Sequence, residues 1–187
     1  MSDVFAGPLR ELAATAERVA EQLGPSLDKA LSMVRETVRS GGTLYFCGNG
    51  GSAADAQHIA TEYVVRYMRS RRAYPAVALT TDTSLLTAAG NDFGFEEIFA
   101  RQVDALVEPG DLLVIHTTSG NSPNLIRAAE AARAKNVQVL ALSARGGGQL
   151  ASLVTHCVVL PTDRSDRAQE LQLCIQHVIC DLVEREL

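Results

Sequence analysis

Apolar positions change their period along this chain. Leu9, Leu12, Ala13 and Ala16 fall on one helical stripe, and Leu27, Ala30, Leu31, Val34 and Val38 fall on a second. Gly24-Pro25-Ser26 separates the two, with Pro25 placed to open the second helix and Gly41-Gly42 placed to end it. Beyond Gly42 the pattern becomes short continuous apolar runs. These predict strands over residues 43–47, 76–79, 112–116, 137–142 and 156–160, each apolar on both faces as in a covered parallel sheet. Helical spacing predicts helices between them, over residues 53–67, 84–89, 95–106, 122–134 and 168–186. Pro123 in a first turn, with Asn121 or Ser122 before it, marks one of these starts clearly. The reading is α/β: a doubly wound parallel sheet of five strands flanked by helices, with two N-terminal helices. No repeat, linker or low-complexity tract divides it, so residues 1–187 read as one domain. In such a sheet ligands bind outside the carboxyl ends of the strands.

Composition narrows the function classes. With 47% hydrophobic and 21% charged residues among 187, the chain has the make-up of a globular domain with a full core. No apolar run nears the roughly 18 residues of a membrane span, and Met1-Ser2-Asp3-Val4 lacks a secretory start, so a cytoplasmic location without membrane attachment is expected. A net charge of −5 disfavours nucleic acid. The basic cluster Arg66, Arg69, Arg71 and Arg72 reads as a solvated helix end, phosphate contact being its other reading. Cys47, Cys157, Cys174 and Cys180 form no CxxC pair, and three of them sit among apolar neighbours, as reduced core thiols do.

Two loops carry the chemistry. Gly48-Asn49-Gly50-Gly51-Ser52 follows the first apolar run and opens an alanine-rich helix. It has neither the G-x-G-x-x-G spacing of a dinucleotide fold nor the Gly-Lys-Ser/Thr of a P-loop. Thr117-Thr118-Ser119-Gly120-Asn121-Ser122-Pro123 repeats the arrangement after the third run, with four hydroxyls near a helix start. Hydroxyls, backbone N–H groups and the helix dipole together can hold a phosphate without Lys or Arg. A plain capped turn needs one hydroxyl, and a pair of such loops points to a phosphorylated substrate. On the helix after the first loop, His58 and Glu62 stand four apart and share a face. Such a pair suits an ion pair, a metal site or acid–base work. The last helix carries Gln169 and His177, separated by about 12 Å of rise and roughly 80° of rotation. One small ion cannot easily be reached by both from one helix, so contributions from different subunits are expected if they share a site. His116 and His156, at strand ends, read as structural.

With these residues in hand, the chain resembles the SIS (sugar isomerase) domain family and, within it, the phosphoheptose isomerases. The resemblance runs through Gly48–Gln57 with His58 and Glu62, Ala78–Ser84, Gly90–Phe95, Thr118–Pro123 and Gln169-Glu170. It implies a flavodoxin-like fold and an aldose–ketose isomerisation through an enediol, from sedoheptulose 7-phosphate to D-glycero-D-manno-heptose 7-phosphate. That is the first step towards nucleotide-activated heptoses. It further implies that Asn49, Gly50, Gly51 and Ser52 line the substrate with Asn91 and Asp92, and that Thr117, Thr118, Ser119 and Ser122 form the phosphate loop. By the same resemblance, Glu62 and His177 match the base and acid, and His58, Glu62, Gln169 and His177 match a zinc site, one Zn2+ per subunit. A homotetramer with active sites between subunits, in which residues 1–40 pack, is also implied. Two departures stand out: Thr117 replaces a usual Ser, and Asp166 adds a carboxylate before Gln169. The competing reading is a non-enzymatic SIS adaptor binding the bacterial replication initiator, a branch lacking the acid/base pair that this chain keeps.

Overall fold

The computed structural model describes residues 2–187, so Met1, part of the N-terminal reading, lies outside them. Helices α1 (Ser2–Gln22) and α2 (Gly24–Ser40) precede a repeating strand–helix series: β1 (Leu44–Cys47), α3 (Gly51–Val64), β2 (Ala76–Ala78) and α4 (Thr83–Asp92). There follow α5 (Ala100–Leu106), β3 (Leu112–His116), α6 (Pro123–Ala134), β4 (Gln138–Ser143), β5 (His156–Val159) and α7 (Ser165–Glu186). All pairings are parallel, and the strand order is β2-β1-β3-β4-β5. This is the expected doubly wound sheet. The order reverses between β1 and β3, so their outgoing loops diverge and leave a crevice there.

Alternation along the strands sorts the core into two layers. Leu44, Phe46, Leu112, Val114, Leu140 and Leu142 face one way and pack with Val34, Ile59, Tyr63, Leu171, Ile175 and Ile179 from α2, α3 and α7. Tyr45, Cys47, Leu113, Ile115, Val139 and Ala141 face the other way, onto Phe99, Val103, Leu125, Ala128 and Ala129 from the α5 and α6 side. Every residue of β1 and β3 is buried, which is why their sequences read as unbroken apolar runs.

Several element boundaries differ from the sequence reading for local reasons. Helix α2 ends as expected, with Gly41 at φ +84° returning its N–H to Val38. Helix α4 starts one residue earlier than expected, where the Asp82 carboxylate caps it by accepting the Leu85 N–H at 2.9 Å, and runs three residues further, to Asp92. Residues 95–106 are not one helix: Glu97 N–H closes a 3-10 turn onto Gly94, and α-helix begins only at Ala100. Helix α3 stops three residues early because the next amides, at Tyr67, Met68 and Arg69, donate to the Glu184 carboxylate. Nor is the arginine cluster uniformly a solvated helix end, since the Arg71 side chain is buried beside Glu184. All four cysteines are free thiols; Cys47 and Cys180 are buried, and burial pushes the Cys180 thiol up to about 12.

Candidate active site

The crevice between β1 and β3 is built from backbone. Gly50 takes φ +57°, and its carbonyl accepts the Ala53 and Ala54 N–H groups as α3 begins. Gly48 leaves no room for a side chain, since an added Cβ would lie 2.6 Å from the Ser52 carbonyl oxygen. Opposite, Gly120 takes φ +65° and lies against the Gly147 carbonyl, where no Cβ fits. Asn49 and Asn124 join the two loops by a reciprocal amide pair, at 2.9 and 2.8 Å. The helix starts of α3 and α6 are thereby held side by side at one crevice, the positive end of each helix dipole beside it.

Within the second loop the hydroxyls divide their work. Thr117 is buried and accepts the Gly120 N–H at 3.1 Å, which closes the turn. Ser119 accepts the Asn121 N–H at 3.2 Å, and Thr118 lies 3.5 Å from the Ser165 hydroxyl at the start of α7. Ser122 sits at the N-cap of α6 yet makes no capping bond. Of the two expected caps, Asn121 or Ser122, neither serves: the Asn121 side-chain oxygen accepts the Gln149 N–H at 3.0 Å instead.

Side by side, α3 and α7 run in the same direction. Gln169 meets Gly51 at one end, where an added Cβ would come 2.7 Å from the Gln169 amide, and His177 meets His58 further along. The Nε2 atoms of His58 and His177 are 2.9 Å apart, and Glu62 Oε1 is 3.4 Å from His58 Nε2. One ligand atom from each of His58, Glu62 and His177 fits within a 4.8 Å circle of mutual distances. Burial and the facing His58 imidazole hold His177 below the ordinary histidine value, against the opposing pull of Glu62. This group is assembled within one chain; it needs no second copy to bring His177 to His58 and Glu62.

Comparison with known proteins agrees with that geometry. The SIS domain family matches residues 9–144. The phosphoheptose isomerase of Akkermansia muciniphila is 42% identical over 187 residues, covering 100% of this chain and 98% of its own. That of Rhodospirillum rubrum is 48% identical over 163 residues, 87% of each chain. The solved phosphoheptose isomerase of Neisseria gonorrhoeae superposes with a TM-score of 0.92 at 38% identity, covering 98% of both chains. The chain belongs to the SIS domain family, in its phosphoheptose isomerase branch.

In this isomerase of the family, the remaining expected site residues have the following surroundings. Ser52 is 3% exposed, and its N–H is turned back onto the Asn49 carbonyl. Asn91 and Asp92, at the exposed end of α4, bond to each other at 2.8 Å, and Asp92 lines a shallow cavity with Leu85, Phe93 and Arg101. The Asp166 carboxylate is held by Arg164 at 2.6 Å and well below the usual carboxylate range, so its charge is already partnered. Asn124 was missed in the sequence because nothing local marks it; only its partner Asn49 gives it meaning. Tyr67 was missed likewise: its ring stacks on His177, with centroids 5.1 Å apart and planes 8° from parallel.

Two imidazoles and one carboxylate make an N, N, O donor set of the kind that binds divalent zinc. The His58 and His177 Nε2 atoms form a hydrogen-bond contact at 2.9 Å, and the three donor atoms lie within 4.8 Å of one another, so the group fits a metal. Gln169 lies along the same α3–α7 seam but is placed at Gly51.

Proposed function

We propose that this isomerase interconverts sedoheptulose 7-phosphate and D-glycero-D-manno-heptose 7-phosphate in the cytoplasm, opening a route to nucleotide-activated heptoses. The observation that carries the reading is the Glu62–His58–His177 group on the α3–α7 seam, beside the glycine loop that opens α3. In this reading the sugar phosphate seats its anionic end on the Thr118, Ser119 and Ser122 hydroxyls and the α6 amides. Asn49, Gly50 and Gly51 lie along the sugar. Glu62 removes the proton from C1 of the ketose, the C1–C2 enediol forms, and a proton returned to C2 gives the aldose. His177 holds an N–H towards the substrate oxygen that gains negative charge and passes a proton between the two oxygens.

His58, Glu62 and His177, with Gln169 nearby on the seam, would hold zinc; when bound, the ion supplies Lewis-acid stabilisation of negative oxygen. We also propose a homotetramer. An open groove of about 690 Å³, lined by Tyr67, Met68, Leu173, His177, Val178 and Leu182, adjoins the acid–base group, and Met68 and Val178 are well exposed on it. A second copy seated there would close the site from outside, and the exposed Val4, Phe5 and Leu9 of α1 suit packing of the N-terminal segment in the same assembly.

The adaptor reading is disfavoured because the relatives are phosphoheptose isomerases and because Glu62 and His177, the residues proposed as base and acid, lie close together. Incubation with sedoheptulose 7-phosphate in D2O tests the proposal. Aldose carrying deuterium at C2 is expected, and a folded Glu62→Gln variant should give none. Turnover of that variant at the wild-type rate would remove Glu62 from its role.

A further inference from the structure

We propose that the buried Arg71–Glu184 pair is a positioning device that sets Glu62 against His177. The inference rests on the proposed roles of those two residues but concerns groups outside the site. Arg71 follows α3, and Glu184 lies on α7 two turns beyond His177. Their side chains are 8% and 0% exposed, with Arg71 Nε 2.9 Å from Glu184 Oε1.

Each partner grips backbone leading to one of the two reacting side chains. Arg71 Nη2 donates to the Glu62 carbonyl at 2.6 Å, and Nη1 donates to the Tyr63 carbonyl at 2.8 Å. Those carbonyls belong to the last turn of α3, where no further helical N–H can satisfy them and where a cation is favoured. Glu184 accepts the N–H groups of Tyr67, Met68 and Arg69 at 2.7, 2.8 and 3.0 Å. Tyr67 so fixed lays its ring flat on His177. The guanidinium is itself held by Tyr74, whose ring centroid lies 4.1 Å from Cζ. One ion pair therefore controls the backbone of Glu62 on one side and the ring packed on His177 on the other.

Cohesion alone does not call for this pair. Ile59 and Tyr63 of α3 already pack in one apolar cluster with Ile179, Cys180 and Val183 of α7. A buried ion pair is seldom more stabilising than apolar residues of the same volume, because both charges lose their hydration. What it adds is direction: a planar fork bonded to the Glu62, Tyr63 and Arg72 carbonyls and lying against the Glu184 carboxylate permits one placement of the α3 end relative to α7. A lysine has the charge without the fork.

The experiment compares Arg71→Lys, Glu184→Gln and the apolar double variant R71M/E184M with the wild type. Each is measured for folding by thermal melting, for kcat and KM with sedoheptulose 7-phosphate, and for imidazole 1H–15N signals without substrate. The expected result is a kcat lower by about tenfold to a hundredfold with KM within about twofold, since the reacting groups shift while the phosphate loop on α6 does not. The His58 and His177 signals should move while those of His156, on β5, stay. Should single variants fail to fold, the double variant, which leaves no unpaired charge, decides. A folded variant lacking the pair with wild-type kcat and unmoved His58 and His177 signals overturns the proposal, as does a lower melting temperature with kcat unchanged per folded molecule. A wild type that turns over no sugar phosphate would instead sink the isomerase reading, and the imidazole signals would then decide the positioning role alone.

Discussion

Gly120 shows how much a single residue can decide. At φ +65°, against the Gly147 carbonyl, it turns the chain so that the hydroxyls of Thr118, Ser119 and Ser122 stay at the head of α6. A Gly120→Ala chain should lose about 1–3 kcal/mol of stability from backbone strain and overlap. Its KM for a sugar phosphate should rise by about tenfold or more as the loop splays. Urea unfolding and steady-state kinetics check both, and a wild-type KM would show that the loop does not seat the phosphate. His116 supplies a second residue-scale consequence. It is fully buried on β3, paired with Gln176 at 3.0 Å, and burial lowers its pKa from 6.5 to about 4. Above pH 6.5 both folded and unfolded forms carry it neutral. Between pH 6.5 and 4 the unfolded chain binds the proton and the folded chain does not, so stability falls as pH falls. The loss should approach about 3 kcal/mol by pH 4. A His116→Gln variant should flatten that slope in denaturant titrations at pH 7 and pH 4.5; an unchanged slope would assign the acid sensitivity elsewhere.

At the scale of elements, the amide pair Asn49–Asn124 is the contact that holds the starts of α3 and α6 at one crevice. Two bonds of 2.9 and 2.8 Å tie the loops together there. Removing one partner in Asn124→Ala leaves the other amide half-buried and unpaired, a cost of about 1–3 kcal/mol. The substrate crevice should widen, raising KM more than it lowers kcat. Equal stability and equal KM in that variant would mean the loops are held by something else. The elements were legible in the sequence where apolar periodicity was strong: all five strands and the helices around them appear close to their expected places. They were less legible where a distant side chain ends an element. Glu184, more than a hundred residues downstream, collects the amides that would have continued α3, and no local pattern near Tyr67 announces this.

For the whole molecule, the exposed apolar side chains are the outstanding feature. Met68 and Val178 are exposed on the groove that runs beside His177, and Val64 and Val65 are exposed at the end of α3. Light scattering should give four times the 20.0 kDa chain mass. Val178→Asp, placing a charge in that groove, should dissociate the assembly and lower activity while circular dichroism stays that of the folded chain. A wild type that scatters as a single chain would end the tetramer reading. Among the described residues no helix is long and apolar enough to cross a membrane, which agrees with the absence of any long apolar run.

The sequence alone determined the architecture and the inventory of reactive groups. Period and turn chemistry are local properties, so strands, helices, glycine loops and the His58/Glu62 spacing could all be read from neighbours in the chain. It left His177 and Gln169 as a puzzle, since eight residues on one helix seemed to place them too far apart for one site. Only the tertiary structure decided which partners they meet. Packing α7 parallel to α3 lays two spacings alongside each other, so His177 reaches His58 and Glu62 while Gln169 reaches Gly51 in the same chain. The physical reason is that a helix fixes distances along its own axis, whereas its neighbours are fixed by apolar packing between residues remote in sequence. Arg71 and Glu184 follow the same logic: each reads as an ordinary surface charge until burial makes them partners.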